Sequence, residues 1–413
     1  MKRISLFLLL FLLLKATAVY SQGGDPEANL RIVPISPNAA SLGTYGLIPT
    51  DNYVGQANLT IPIYEIDLDG KKFPIALSYH TDGTRVAQEA TWAGLGWTLQ
   101  AGGCVIRQVQ DMDDFTARGC YNLTDAPWLT NPRFEVTDQN MERYMGYFRG
   151  DYDAEPDMFY FNAGGHSGSM FFNVLKNNRQ TNAVPTIQTQ EEVVKMVYNT
   201  SSNVWTMTDL EGYVYSFSKK ETTYYFLNTI EFFQPDITRS HIFPYNKEPQ
   251  VVTAWMLDSV TSPNGGTILF DYKKETIFTP ISTTEDVISL SEVVAGEITS
   301  QSPQYFKNKF NYNYTYSKIE QWTLSKISFE GGTVEFNTTD REDIESAESG
   351  KKVQKLSSIK VSDAAGNVIK TTMLEYKYLL SGAATTTNGY DDRLLLSKVY
   401  DVAGSKKSNV YTM

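Results

Sequence analysis

The stretch 89-EATWAGLGWTLQAGGCVIRQVQD-111 decides the fold class of this chain. Four glycines lie within ten positions, at Gly94, Gly96, Gly102 and Gly103. Trp92 and Trp97 flank the first pair, and Cys104 follows the second. A dinucleotide-binding loop requires Gly-x-Gly-x-x-Gly between a strand and a helix, but no third glycine stands at that spacing here. The glycines therefore indicate architecture rather than a phosphate site.

The predicted architecture is a corner between strands. Gly94 and Gly96 would let two backbone segments approach closely or form a bulge, while the two tryptophans fill the core on either side. The pair Gly102-Gly103 would form a tight turn before a strand that runs from Cys104 to Val109. Replacement of Gly96 or Trp97 is expected to lower stability rather than remove an activity.

Most of the remaining chain alternates polar and apolar residues between turn-forming residues, which is typical of strands. Four segments begin with a Leu-x-x-Ile/Val strand and pass through a Gly-containing turn: 257-LDSVTSPNGGTILFDY-272, 324-LSKISFEGGTVEF-336, 356-LSSIKVSDAAGNVIKT-371 and 396-LSKVYDVAGSKKSNVY-411. The segment 205-WTMTDLEGYVYSF-217 has the same rhythm. Each is predicted to be a β-hairpin. The best helical pattern, at residues 138–149, is weak.

These hairpins predict an all-β fold in which successive antiparallel β-hairpins form a β-sandwich or a large curled sheet. The recurring Leu-Ser/Asp start favours true repetition, although Leu- and Gly-rich hairpins also occur in all-β proteins without repeats. Two strand runs, 211-EGYVYSFS-218 and 222-TTYYFLNTIEFF-233, are predicted separately.

The domain organisation is predicted from the amino terminus onward. Residues 1–21 have a positive start, an apolar run and small residues, which is the pattern of a cleaved signal peptide. Residues 22–175 are predicted to form an amino-terminal β domain containing the Gly/Trp corner, and residues 176–413 a β-hairpin repeat region. A polar stretch near 280–304 is either a long surface insertion or an extra helix packed on the sheet. The chain would thus be exported to the periplasm, cell surface or medium.

The charge balance excludes a nucleic-acid partner. The chain has 36 basic and 47 acidic residues, and loss of Lys2, Arg3 and Lys15 with the signal peptide leaves 33 basic residues and a net charge of −14. Nucleic-acid binding requires a basic surface. Apart from the signal, no apolar stretch is long enough to span a bilayer.

The two cysteines, Cys104 and Cys120, are predicted to form a disulfide, because a single pair in an exported chain is usually bonded. The alternative is two buried free thiols. Their spacing matches neither a CxxC redox motif nor a zinc site.

No catalytic, cofactor or metal residues are predicted. His80, His166 and His241 are isolated in sequence, and no Gly-x-Ser-x-Gly elbow is present. The acidic runs 111-DMDD-114, 151-DYDAEPD-157 and 340-DREDIE-345 lack the glycine turn and distant Glu of a calcium loop. They are interpreted as solvated acidic loops, with a cation site as the alternative.

Aromatic residues supply a further alternative. In 309-KFNYNYTY-316, strand alternation places Phe310, Tyr312, Tyr314 and Tyr316 on one face. Such a face is more often the inner face of a sheet than a ligand surface, but aromatic rings also stack on sugars.

The motifs that carry a family resemblance are 36-SPNAASLGTYGLIPTDNYVGQANLTIPIYEI-66, 75-IALSYHTDGTRV-86, 89-EATWAGLGWTLQAGG-103 and 155-EPDMFYFNAGGHSGSMFF-172. This set resembles the amino-terminal region of bacterial exported RHS/YD-repeat proteins. The Gly-Leu-Gly-Trp-Thr-Leu stretch is also similar to the shell-forming B component of insecticidal toxin complexes. The later hairpins, which end in 400-YDVAG-404, resemble degenerate YD units. The chain departs from the family in lacking a run of consecutive YD repeats and an autocleavage motif.

The resemblance implies a non-enzymatic scaffold, the start of an RHS-type β-shell that serves in toxin encapsulation, delivery or cell-surface interaction. Its implied partner is a carboxy-terminal effector or the remaining shell. The competing interpretation is a stand-alone secreted module that binds carbohydrate or a cell surface. A hydrolase is the third and weakest class.

Overall fold

The computed structural model describes residues 33–47, 59–79, 88–110, 112–122, 141–148, 151–153, 155–173, 182–188, 194–234, 241–244, 250–279, 282–289, 308–379, 392–403 and 406–413. The predicted signal peptide, residues 1–21, lies outside them. In the described part, no helix is both long and apolar enough to cross a membrane.

The described elements are almost all strands. The two helices are α1 (Pro37–Leu47) and α2 (Met141–Phe148). The strands are β1 (Leu59–Leu68), β2 (Lys71–Tyr79), β3 (Trp97–Gln100), β4 (Gly103–Gln108), β5 (Met158–Ala163), β6 (His166–Phe171), β7 (Asn182–Ala183), β8 (Thr186–Ile187), β9 (Lys195–Asn199), β10 (Val204–Thr208), β11 (Val214–Gln234), β12 (His241–Pro244), β13 (Gln250–Thr261), β14 (Thr267–Phe278), β15 (Ser282–Ser289), β16 (Asn308–Phe329), β17 (Gly332–Asp340), β18 (Gln354–Asp363), β19 (Val368–Leu379), β20 (Arg393–Ala403) and β21 (Lys406–Thr412). The predicted all-β fold class is confirmed.

All five predicted hairpins form as antiparallel pairs, namely β10 with β11, β13 with β14, β16 with β17, β18 with β19 and β20 with β21. The turn between β18 and β19 illustrates why they close. Gly366 has a φ of 86°, a conformation that carries no steric cost for glycine because glycine has no Cβ. Its N–H donates to Asp363 O over 3.0 Å.

The strands belong to two sheets. The small sheet has the order β1-β2-β3, and β4 to β21 form a second sheet whose strand order closes on itself. Alternation along β1 buries Ile61, Ile63, Ile66 and Leu68, so one face of the small sheet packs on the core. The chain passes from the small sheet to the large sheet between β3 and β4, where the sequence predicted a corner.

Several predicted elements differ from the structure. Residues 214–218 of the first run and all of 222–233 belong to one continuous strand, β11, whose pairing with β13 shifts register near Phe217 and Thr222. Part of the polar stretch 280–304 forms β15, which pairs with β16, so the described part of that stretch contains a strand and no extra helix. Helix α2 lies in the weakly helical 138–149 pattern. Helix α1 was not predicted, because Gly43 and Gly46 weaken its helical signal.

The described chain divides into two compact units, one within Asp111–Glu155 and the other made of Val33–Gln110 and Pro156–Met413. The predicted boundary at 175/176 falls inside the second unit rather than between the two. The reason is strand pairing across it: Cys104–Ile106 of β4 pair with Ala254–Met256 of β13.

The predicted disulfide between Cys104 and Cys120 is absent, and both cysteines are buried. Cys104 belongs to the second unit, where it packs with Ala39, Ala254 and Met256. Cys120 belongs to the first unit, where its N–H donates to Asp153 over 3.4 Å. Apolar surroundings raise the pKa of the Cys104 thiol and keep it protonated.

Candidate functional site

The candidate site is the corner, defined as residues 88–103. Its first half is a compact double turn in which Gly94 N–H donates to Thr91 O and Trp97 N–H donates to Gly94 O, each over 3.1 Å. The Thr91 hydroxyl donates to Trp97 O over 2.6 Å. Gly94 and Gly96 have φ values of 111° and 75°, which side chains rarely adopt. The glycines therefore set the path of the backbone.

Two glycines of the corner also allow close contact with neighbouring backbone. A methyl group on Gly94 would lie 2.9 Å from the backbone nitrogen of Leu396. A methyl group on Gly103 would collide with the carbonyl oxygen of Asn162 on the adjacent strand β5. The close approach that the sequence suggested for Gly94 is thus with β20, and Gly103 makes a second one.

The two tryptophans of the corner are buried. The ring of Trp92 lies 6.3 Å from that of Phe336, and Trp97 lies 5.2 Å from Tyr79. The backbone of Trp92 is also held on both sides: its N–H donates to Asn38 Oδ1 over 2.9 Å, and its carbonyl accepts from Leu356 N–H over 2.9 Å. The corner is therefore packed against β2, β17, β18 and the start of α1.

A buried ion pair in the loop after β17 is hydrogen-bonded to the backbone of the corner. The guanidinium of Arg341 donates to Thr91 O over 3.1 Å and to Ala90 O over 3.2 Å. The same guanidinium donates to both carboxylate oxygens of Asp343, over 2.8 and 2.6 Å. The Arg341 and Asp343 side chains are 2% and 1% exposed. We call Arg341 and Asp343 the clasp.

The clasp extends to strand β20. Leu394 N–H donates to Asp343 over 3.1 Å, and Leu394 O accepts from Leu95 N–H over 2.8 Å. Arg393 donates to Gln88 O over 3.0 Å. Burial raises the pKa of the neighbouring Glu89, an effect that Arg393 and Arg341 oppose. The corner is thus joined to the loop after β17 and to β20, and the polar groups of the clasp are used in hydrogen bonds to Thr91, Ala90 and Leu394.

Sequence reasoning missed the clasp, since Arg341 and Asp343 lie in the run 340–345, which was interpreted as a solvated loop. That interpretation is wrong for Asp343. It is also wrong for Asp157 of the second acidic run, which is buried in an ion pair with Arg107. Among the described residues, no group of three metal-ligating side chains is found.

A second polar cluster was also missed. Lys71 Nζ lies 2.5 Å from Asp209 and 3.1 Å from Glu211, and His166 Nε2 lies 3.7 Å from Asp209. Burial opposes the charge of Asp209, but hydrogen bonds from Lys71, Tyr213 N–H and Tyr215 outweigh it and lower the pKa of the carboxyl. Burial, with the charge of Lys71, lowers the pKa of His166. This cluster is an ion-pair network in which Asp209 is buried and Glu211 is exposed.

Helix α1 is held by a buried carboxylate. Ser36 precedes the helix, and its N–H and hydroxyl donate to the two oxygens of Glu221 over 2.8 and 2.6 Å. The Ser36 hydroxyl also accepts from Ala39 N–H over 3.2 Å, as a helix cap does. Burial raises the pKa of Glu221 to about 7, although the hydrogen bonds from Ser36 and Thr253 oppose this.

Other candidates from the sequence are only partly described. His80 and the side chains of His241, Phe310, Tyr312 and Tyr314 lie outside the described residues. Tyr316 packs edge-on against Phe278, with ring centroids 6.1 Å apart.

No family model matches the chain, and no curated protein is similar to it. Solved structures are similar to it. The crystal structure of TcdB2-TccC3-Cdc42 has 11% identity and a TM-score of 0.40, over 87% of this chain and 16% of that one. The crystal structure of TcdB2-TccC3 has 11% identity and a TM-score of 0.38, over 92% of this chain and 16% of that one. The N-terminal domain of the effector protein SpvB from Salmonella typhimurium strain LT2 has 12% identity and a TM-score of 0.38, over 84% of this chain and 99% of that one.

The chain thus spans about a sixth of the length of the two TcdB2-TccC3 chains. At this identity they assign no activity, partner or residue role to this chain.

Proposed function

We propose that the chain is a non-enzymatic, exported, toxin-associated β scaffold, the amino-terminal part of an RHS/YD-type shell used in encapsulation, delivery or cell-surface interaction. The single observation that carries the scaffold role is the clasped corner. Arg341 and Asp343 are buried and hydrogen-bonded to the corner backbone and to β20. A corner built in this way serves to hold strands together.

The polar groups of the corner support a structural role for a second reason. A catalytic group must reach a substrate, so its polar atoms face a cleft. Here the clasp guanidinium is bonded to Thr91 O, Ala90 O and Asp343, and its side chain is almost fully buried. The export and toxin association in the proposal rest on the signal-like residues 1–21 and on the sequence resemblance.

The proposal is tested by the size and location of the native protein. An antibody raised against residues 22–413 is used to blot the cell, periplasmic and culture fractions of the native source. The expected result is an exported band far above the 46.5 kDa of this chain, carrying peptides of a longer shell by mass spectrometry. Co-purification of an effector with that band would identify the cargo.

Two results would contradict the proposal. A band confined to the cytosol would refute export. An exported band slightly below 46.5 kDa would refute the longer shell and favour the stand-alone binding module, which an array of glycans would then test.

A further inference from the structure

The turn between β1 and β2 of the small sheet is attached to the large sheet by the residues between β10 and β11. Tyr213 donates its hydroxyl to Leu68 O over 3.0 Å. Lys71, the first residue of β2, forms an ion pair with Asp209, the residue after β10, over 2.5 Å. The attachment of this turn therefore includes both a hydrogen bond and an ion pair.

One carboxylate oxygen of Asp209 is approached by three side chains. Lys71 Nζ lies 2.5 Å from Asp209 Oδ2, and Tyr215 donates its hydroxyl to the same oxygen over 3.1 Å. His166 Nε2 lies 3.7 Å from it, which is too far for a hydrogen bond. The Asp209 side chain is 1% exposed and the His166 side chain 29% exposed. Lys71 and His166 thus face the same oxygen, and Lys71 is the residue that binds it.

The charged groups that face His166 come from two elements packed against β6. Lys71 approaches from β2, and Asp209 and Glu211 approach from the turn between β10 and β11. Burial and the charge of Lys71 lower the pKa of His166 from its ordinary 6.5, and they outweigh the two carboxylates. The effect of Glu211 is weak because its side chain is 65% exposed and water screens its charge. His166 is therefore uncharged at neutral pH.

We propose that Lys71, Asp209 and His166 form an acid-sensitive joint between the small sheet and the large sheet. In acid, the His166 ring gains a proton and becomes a second cation at the carboxylate that already binds Lys71. A partly buried cation without a hydrogen bond is unfavourable. The strain is relieved when the β1–β2 turn moves away with Lys71 and water reaches the ring. Acid therefore loosens the attachment of the turn, and a return to neutral pH restores it.

The direction of this effect follows from proton linkage. In the open state the ring of His166 is in water, so it binds a proton more tightly than it does in the closed state. Opening therefore becomes more favourable as the pH falls through 6.5. The joint is independent of the scaffold role proposed above, so either can fail without the other.

The first measurement is the pKa of His166 in the mature chain. It is read from the ring proton signal in an NMR titration, and the loss of that signal in His166→Gln assigns it. We expect a value below 6.5. Lys71→Met removes the competing cation and should raise the value relative to wild type. Lys72→Met is the matched control, because Lys72 adjoins Lys71 in β2 but is 53% exposed and pairs with Asp67; it should leave the value unchanged.

The second measurement is the hydrogen exchange of residues 68–75, followed by mass spectrometry and corrected for the intrinsic effect of pH on exchange. Between about pH 7.5 and pH 5, protection in wild type should fall about threefold or more relative to His166→Gln, which gains no proton. Other titrating groups such as Glu221 are the same in both proteins, so the difference between them reports His166. Lys72→Met should behave as wild type.

The proposal is overturned if His166 of the wild-type chain titrates at or above 6.5, or if folded Lys71→Met leaves its pKa unchanged. It is equally overturned if His166→Gln loses as much protection in acid as wild type does. Circular dichroism of each variant confirms folding, and His166→Gln decides the question should Lys71→Met fail to fold.

Discussion

Glu221 is a carboxylate whose surroundings oppose its charge. It is fully buried, and the groups that approach it are hydroxyls and an N–H of Ser36 and Thr253 rather than cations. The buried Cys104 thiol is also near it. The Glu221 carboxylate positions Ser36 and thereby the first turn of α1.

This arrangement predicts a pH dependence. Because the pKa of Glu221 is about 7 in the folded protein against an ordinary 4.5, the folded state binds the proton more tightly than the unfolded chain. The stability that this group contributes is therefore greatest below pH 4.5, falls as the pH rises to about 7, and is constant above that. Glu221→Gln imitates the protonated acid, so the variant should be about 3 kcal/mol more stable than wild type at pH 8 and similar to it at pH 4.5.

Urea unfolding of both proteins at several pH values measures this difference. The comparison with wild type is needed because the lowered pKa of His166 acts with the opposite sign and makes stability rise with pH. Glu335→Gln, which changes a partly exposed acid paired with Lys360, is the control for the loss of one acidic group. A variant that loses stability in parallel with wild type between pH 4.5 and 8 would contradict the assignment.

Gly103 tests the close approach of strands at the corner. Gly103→Ala should lower stability by about 3 kcal/mol, because the new methyl group meets the backbone of Asn162 and Ala163, which cannot move away without breaking the ladder. Gly350→Ala is the control: Gly350 has a φ of 74° and open space around it, so only the conformational cost of about 1 kcal/mol is expected. If Gly103→Ala and Gly350→Ala lose equal stability in thermal unfolding, the close contact of Gly103 with β5 does not contribute to stability.

At the scale of elements, the clasp makes hydrogen bonds with backbone groups of the corner and of β20. Residues 88–96 precede β3 and make few ladder bonds, so their carbonyls need other donors. Arg341, between β17 and β18, supplies two of them, and Asp343 receives the N–H of Leu394 from β20. The loop after β17 therefore connects elements that are not neighbours in either sheet.

We expect each half of the clasp to matter only with its partner. Arg341→Met and Asp343→Ala should each lower stability by about 3–5 kcal/mol, because each leaves a buried charge without its partner. The double variant should be much less destabilised than the sum of the two, which a double-mutant cycle measures. Glu342→Ala removes an exposed pair with Lys352 and should change stability by less than about 1 kcal/mol. Additive losses would contradict a direct pair.

At the scale of the molecule, the large sheet unites both halves of the chain. Strand β4, at residues 103–108, lies between β13 and β5. In addition, Trp92 O accepts from Leu356 N–H. The amino-terminal half therefore contributes strand β4 to the large sheet and a backbone hydrogen-bond acceptor, Trp92 O, to β18.

A chain of residues 176–413 alone should consequently fail to fold cooperatively. It would lose the pairing of β13 with β4 and the packing of Ala254 and Met256 on Cys104 and Ile106, and it would leave the Arg341 guanidinium without the corner carbonyls. Thermal unfolding followed by near-ultraviolet circular dichroism, with residues 22–413 as control, measures this. A sharp transition of residues 176–413 at the temperature of the control would instead support the boundary at 175/176.

The all-β class, the five hairpins and the place of the corner can be read from the amino-acid sequence. These features are local: alternation of apolar residues and a turn glycine such as Gly366 act over a few positions, so they are readable without knowing the rest of the chain. The same reasoning failed for the two cysteines, since their pairing depends on which part of the fold each one enters.

The way in which the hairpins are joined, in contrast, depends on contacts between residues far apart in the chain. Arg341 and Thr91 meet across 250 positions of sequence, and Glu221 and Ser36 meet across 185. Nothing in a run such as 340-DREDIE-345 distinguishes a solvated loop from a buried clasp. The burial of a charged group depends on the partner that the fold brings to it, because an ion leaves water only when another group replaces its hydration.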